Sequence, residues 1–289
     1  MAKQKIILTG SNGYLGSIIL NRLKKKYKII RYLKNDKVFK SDENNFAILH
    51  LAALDKKSCE KNPKLANELN IELTKKIIGL GIKNKYKKII LFSTVHVYGN
   101  KKSIINEKTK LKPNNIYGKT KKISEEICNK NSNKIDVVIF RISNVIAKPL
   151  NENNQSKNLI INFICKNLVN KNISLNTNGK DVRDFVSINY LLSCVNFFLN
   201  SKKVGTYNIC SGQVTKIKDI ALKIAYLIKK KIKSNRKITF GNVKLEKFDL
   251  NFSNKKIKKL VPIKAEHNIF KEIVKILDFY AKGYFWLNI

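Results

Sequence analysis

A chain of 289 residues with 43% hydrophobic content can bury the core of one large domain, or of a cofactor domain with a smaller partner, and excludes a disordered chain. The formal charge of +39, from 59 Lys and Arg against 20 Asp and Glu, invites a nucleic-acid or anionic-membrane reading. Only Arg22, Arg31, Arg141, Arg183 and Arg236 are arginines, however, and the lysines are scattered among many Asn and Ile, which reads as A/T-rich codon usage on solvated faces in preference to a specific nucleic-acid partner.

In chain order, Ile6-Ile7-Leu8 predicts a short buried strand, residues 10–16 a glycine turn, residues 17–26 a helix with Ile18, Ile19 and Leu23 inward, and Ile29-Ile30 the start of a second strand. Apolar runs over 46–51, 88–92 and 135–140 predict further strands, separated by helix-length segments at 63–80 and 117–129. Strand and helix in alternation build an α/β fold, a doubly wound parallel sheet of the Rossmann kind. Past Asn144 the pattern loosens into an Asn-rich stretch from Asn151 to Asn158. The chain is accordingly divided into residues 1–147, expected to hold an NAD(P) cofactor, and 148–289, a smaller C-terminal region expected mainly to bind substrate, with some segments returning to the sheet. The apolar stretch around Tyr190 to Leu199 is too short to cross a bilayer and no apolar leader precedes Ile6, so a cytoplasmic chain without a membrane partner is expected. Cys59, Cys128, Cys165, Cys194 and Cys210 are odd in number and widely spaced, which argues against a disulfide framework or a metal site and for a reducing compartment.

The stretch Thr9-Gly10-Ser11-Asn12-Gly13-Tyr14-Leu15-Gly16 places glycines where a strand turns tightly into a helix, so that backbone N–H groups and the helix N-terminus meet a pyrophosphate. Gly10 permits the turn, Gly13 lets backbone approach phosphate, and Gly16 allows close packing. Cofactor contacts are expected from Gly10, Asn12, Gly13, Tyr14 and Leu15. At the end of the second strand, Arg31 or Lys34 can neutralise a 2′-phosphate, favouring NADP over NAD, while Asp36 would serve an NAD ribose if the strand ran longer. Tyr117 and Lys121 lie one helical turn apart and project from one face. An ammonium beside a tyrosine, helped by an oxidised nicotinamide, stabilises the phenolate, so Tyr117 can move a proton to or from a sugar hydroxyl. Thr94, in Leu91-Phe92-Ser93-Thr94-Val95-His96-Val97-Tyr98-Gly99, stands at a strand tip where it can share that hydroxyl.

With these motifs in this order, the chain resembles the extended short-chain dehydrogenase/reductase family, in its nucleotide-sugar epimerase/dehydratase branch. His50-Leu51-Ala52-Ala53, Asn70 followed by Thr74, Val97-Tyr98-Gly99, Glu107, Pro113, Arg141 with Asn144, Val182-Arg183-Asp184-Phe185-Val186 and Gly205-Thr206-Tyr207-Asn208-Ile209 extend the resemblance over nearly the whole chain. It implies Thr94, Tyr117 and Lys121 as the catalytic set, with Tyr117 and Lys121 also on the cofactor. It further implies cofactor contacts from Leu51, Ala52, Ala53 and Asn70, and substrate contacts from Thr94, Asn144 and Arg183, the arginine on the diphosphate of a nucleoside-diphosphate sugar. For Arg183 the alternative is a structural ion pair with Asp181 or Asp184, and for Asn144 a turn. The helices at 63–80 and 117–129 form a dimer bundle in many relatives, so a homodimer is allowed here despite their charged outer faces.

The expected reaction is hydride exchange at a sugar carbon, serving surface polysaccharide or glycan precursors, by an epimerase or, alternatively, a 4-keto-sugar reductase. Val95-His96 stand where the dehydratases carry an acidic pair, which argues against dehydration, and no cysteine lies near Thr94, which argues against the bifunctional epimerase-reductases. His96 itself is read as packed or hydrogen-bonded structure. A rival of another class is a non-catalytic, NAD(P)-bound, RNA-associated protein, separable by the salt dependence of RNA binding.

Overall fold

The computed structural model describes residues 2–33, 42–99, 103–151, 159–243, 251–264 and 267–281. Lys34, Asp36 and most of the stretch from Asn151 to Asn158 lie outside them. The chain runs β1 (Lys5–Thr9), α1 (Tyr14–Leu23), β2 (Lys28–Tyr32), β3 (Asn45–His50), α2 (Lys56–Lys61), α3 (Pro63–Ala66), a π turn (Asn67–Glu72), α4 (Leu73–Lys83), β4 (Lys88–Thr94), a 3₁₀ turn (Val95–Tyr98), α5 (Ile116–Lys130) and β5 (Asp136–Ile142). It continues as β6 (Asn144–Ile146), α6 (Ile160–Leu168), β7 (Ile173–Thr177), β8 (Val182–Ser187), α7 (Ile188–Leu199), β9 (Gly205–Ile209), β10 (Val214–Lys216), α8 (Ile217–Ile232), β11 (Ile238–Val243), α9 (Lys255–Lys258) and α10 (Ile269–Tyr280).

Six strands form a parallel sheet in the order β2-β1-β3-β4-β5-β9, the doubly wound α/β fold expected from the alternating pattern. Ile6, Ile7 and Leu8 are all fully buried, because helices cover both faces and a central parallel strand has no solvent side. One face packs Ile6, Leu8, Phe92, Val138 and Phe140 against α7, and the other packs Ile7, Ile48, Ile89 and Ile139 against α4 and α5. A separate core joins α6, α8 and α10 through Ile164, Leu168, Ile224, Ile228, Ile273 and Leu277.

Two helices depart from their expected bounds. The first begins at Tyr14, because Gly13 in extended conformation already acts as its N-cap, and it ends at Leu23, leaving Lys24-Lys25-Lys26 in the following turn. The helix expected over 63–80 does start at Pro63, where proline suits a first turn and Asn62 caps the N–H of Leu65, but it widens into a π turn at Asn67–Glu72. π turns often mark functional sites, and this one presents the carbonyl of Asn70 to the hydroxyls of Thr74 and Ser124, both at 2.6 Å. The chain reverses its path across the sheet between β1 and β3, and the carboxyl ends of those strands form the crevice in which such sheets hold ligands.

Candidate active site

The glycine turn closes the bottom of this crevice. Gly10 has φ +69, and a Cβ on it would lie 2.8 Å from the N of Ala52, while one on Gly16 would lie 2.0 Å from the carbonyl of Gly10. The missing side chains therefore bring the start of α1 hard against the ends of β1 and β3; Gly16 packs on the turn itself rather than on the sheet. Below the turn, Thr9 Oγ1 accepts from the N–H of Leu51 at 3.1 Å and of Ala52 at 2.9 Å, so its own proton is left for His50 Nδ1 at 2.8 Å. His50 must then donate through Nε2 to Thr74 at 3.0 Å, and Thr74 passes its proton to the carbonyl of Asn70. One neutral tautomer satisfies every group, and burial, followed by the charge of Lys121, holds His50 down to about 3.

The cleft above has a volume of about 420 Å³ and is lined by Gly10, Gly13, Tyr14, Leu15, Leu51, Ala53, Thr94, His96, Tyr117 and Asn144, among others. Tyr117 sits in the first turn of α5, where Asn115 caps the N–H of Gly118 at 2.8 Å. Burial pushes its phenol up to about 12, against the lowering effect of the neighbouring Thr94 side chain. Lys121 lies one turn deeper, 1% exposed, and burial pulls its ammonium down to about 8. Among the described residues no hydrogen bond or ion pair holds that ammonium. A buried, unpaired cation near His50 and Cys59, one turn from Tyr117, fits a ligand that brings its own acceptors, as a ribose does.

The remaining expected residues divide by position. Asn12 and Arg31 meet at the rim, where Arg31 donates to the side chain of Asn12 and, through Nε, to Ser11 Oγ at 3.2 Å. Ala52 contributes its N–H to Thr9 below the cleft. Asn70, 1% exposed, spends its side chain internally: Oδ1 accepts from Leu54 N at 2.7 Å and Nδ2 donates to Thr120 at 2.8 Å, so it ties the end of β3 to α5 rather than lining the cleft. Arg183 lies in an adjoining cavity of about 510 Å³ that shares Asn144, Val145 and Leu159 with the cleft. It forms no ion pair with Asp181 or Asp184. Asp184 is instead saturated by Ser143, Ser211 and the N–H of Gly212. Asn144 begins β6 rather than a turn and donates to the carbonyl of Asp184 at 2.9 Å.

Three features escaped the sequence reading. Tyr14 bridges the lobes, donating to the carbonyl of Ala147 and accepting from Asn162 at 3.3 Å. Glu125, one turn beyond Lys121 on the same face of α5, pairs with Arg141 at 2.7 Å, accepts from Ser93, and sets the strand end that carries Thr94. The i, i+4, i+8 spacing of Tyr117, Lys121 and Glu125 was a usable signal. Finally, His96, expected to be packed or hydrogen-bonded structure, does pack edge-on to Tyr117 at 5.9 Å between centroids, but its half-buried ring lines the cleft with no hydrogen bond to it among the described residues.

Comparison with known proteins agrees with this geometry. The family model described as NAD dependent epimerase/dehydratase matches residues 6–210. The chain is 27% identical over 271 residues to a dTDP-D-glucose 4,6-dehydratase of Dictyostelium discoideum, covering 76% of this chain and 61%, less than two thirds, of that protein. It is 29% identical over 228 residues to a GDP-6-deoxy-D-talose 4-dehydrogenase of Aggregatibacter actinomycetemcomitans, covering 72% and 74%. Among solved structures, a UDP-glucose 4-epimerase of Thermotoga maritima with UDP-glucose superposes with a TM-score of 0.83 at 16% identity over 96% of this chain and 99% of that one. RMD of Pseudomonas aeruginosa complexed with NADPH gives 0.81 at 18% over 96% and 99%. Among the described residues no helix is long and apolar enough to cross a membrane. With the family model spanning the glycine turn, the strand-end threonine and the Tyr/Lys helix, this chain belongs to the NAD dependent epimerase/dehydratase family.

Proposed function

We propose that the protein is an NADP-linked enzyme that exchanges hydride at a carbon of a nucleoside-diphosphate sugar, with Tyr117, Thr94 and Lys121 as its catalytic residues. The observation that carries this reading is that Tyr117 and Thr94 line one cleft with the glycine turn, one helical turn from an unpaired, buried Lys121. A bound nicotinamide would supply the hydride acceptor and, when oxidised, a positive charge that favours the phenolate. Tyr117 takes the proton of the sugar hydroxyl, Thr94 orients that hydroxyl, and Lys121 donates to the ribose. Because the protein alone leaves the phenol at about 12, its activation is expected only with oxidised cofactor in place. Gly10, Gly13, Tyr14, Leu15, Leu51 and Ala53 form the bed of the dinucleotide, with Ala52 supporting it from below, and Arg31 with Ser11 and Asn12 offers charge-assisted donors to a 2′-phosphate. Arg183 and Asn144, in the adjoining cavity, are assigned to the diphosphate and sugar.

The same rim favours a second reading, a 4-keto-sugar reductase, since NADP suits an enzyme that releases reduced product. The test is Tyr117→Phe assayed across UDP-, dTDP- and GDP-sugars. It keeps cofactor affinity and loses at least 100-fold in turnover; full activity in this variant removes the proposal.

A further inference from the structure

Asp55, Lys56 and His96 are titratable side chains of the cleft that hydride exchange does not use; Asp55 caps α2, and of the three His96 stands against Tyr117. His96 follows β4 in the 3₁₀ turn, and Gly118, whose Cβ would lie 2.5 Å from the His96 carbonyl, lets α5 press that turn against Tyr117. Thr94 Oγ1 accepts the His96 N–H at 3.2 Å, which fixes the backbone and leaves the imidazole over the cleft. The ring stands edge-on to Tyr117, 5.9 Å between centroids, with both of its nitrogens free of hydrogen bonds among the described residues. A polar ring that packs by its edge in a cleft while both nitrogens lack a structural hydrogen bond is placed to meet a ligand.

We propose that His96 is a second acid/base group, which removes and returns the proton on the sugar carbon next to the carbonyl held by Tyr117. This rests on the reading that a keto-sugar nucleotide occupies the cleft. Adjacent carbons of a sugar are about 1.5 Å apart, so two groups that stand side by side on one cleft wall can each reach one of them. In the step, the C–H bond breaks and its proton passes to His96. The electron pair becomes the C=C bond of an enol, whose oxygen takes the proton of the Tyr117 hydroxyl. Return of a proton from the imidazolium to carbon and from the enol to Tyr117 closes the cycle without net oxidation.

The charged groups acting on His96 are Lys56, at the start of α2, and Arg183, on β8. Burial first, then these two cations, hold the imidazole down to about 4, so it stands neutral and ready to accept. A diphosphate on Arg183 offsets one of those cations and raises the basicity of His96 only when substrate is present.

The experiment follows deuterium entry from heavy water into UDP-, dTDP- and GDP-linked 4-keto-6-deoxyhexoses by NMR, with 1,4,5,6-tetrahydro-NADP present, an uncharged-ring analogue that gives no hydride and leaves Tyr117 protonated. Reduction of the same compounds by NADPH is measured separately. Wild-type protein is expected to exchange the proton next to the carbonyl on at least one of them. His96→Asn and His96→Gln, checked for folding by thermal melting, should lower exchange about 100-fold or more and lower reduction by a smaller factor. Absence of exchange by wild type on all three compounds, or exchange in both variants within a few-fold of wild type, overturns the proposal. Absence of reduction by wild type on all three compounds, with exchange present, counts instead against the hydride reading.

Discussion

Arg141→Met removes the guanidinium that faces Glu125 behind the site. In the wild-type protein Arg141 donates to both carboxylate oxygens, to the Tyr98 hydroxyl at 2.9 Å and to the Glu107 carbonyl at 3.2 Å. The side chain of Glu125 is only 2% exposed, so the variant strands a carboxylate where water does not reach it. Breaking one half of a buried pair costs about 3–5 kcal/mol. With an unfolding entropy near 2.1 cal/mol/K per residue, a chain of 289 residues loses about 1.6 °C per kcal/mol, so Tm should fall by about 5–8 °C. Glu125→Leu should cost a similar amount, whereas the double variant Arg141→Met with Glu125→Leu, which leaves no orphaned charge, should recover most of it. Calorimetric melts of the four proteins at pH 7 measure the cycle. A fall of less than 2 °C in the first variant, or losses that simply add in the double, would refute the view that the pair is a desolvated unit setting the strand end under Thr94.

Arg31→Ala should raise the KM for NADP about 10–100-fold and leave that for NAD within a few-fold, since a charge-assisted bond is worth about 1.5–3 kcal/mol; equal effects on both cofactors would show that the rim does not read the 2′-phosphate. Gly10→Ala forces a Cβ to within 2.8 Å of the Ala52 N at φ +69, so lower Tm and weaker dinucleotide binding by fluorescence titration are expected together. His50, held near 3 against an ordinary 6.5, takes up its extra proton in the unfolded chain first. Its contribution to stability is therefore complete above about pH 6.5 and is lost as pH falls toward 3. His50→Gln, which can keep a donor and an acceptor between Thr9 and Thr74, should flatten the acid side of a Tm against pH curve, and an unchanged slope would count against the neutral tautomer.

The parallel sheet was legible because local pattern decides it: Ile6-Ile7-Leu8, the run from Lys88 and the run from Asp136 are buried on both faces and read as unbroken apolar strands. The glycine turn and the Tyr117/Lys121 pair were legible for a similar reason, since tight turns and helical faces are set by neighbours in sequence. What only the tertiary structure decided depends on residues far apart in the chain. Asn70 is turned inward by Leu54 and Thr120, Tyr14 reaches across to Ala147, and Glu125 finds Arg141 through the sheet. His96 is a contrasting case. Its sequence neighbours suggested a structural residue, and only the packing of α5, α2 and β8 around the end of β4 leaves its ring without a structural hydrogen bond and facing the cleft, because side-chain direction at a strand end is set by what packs against it rather than by the residues on either side.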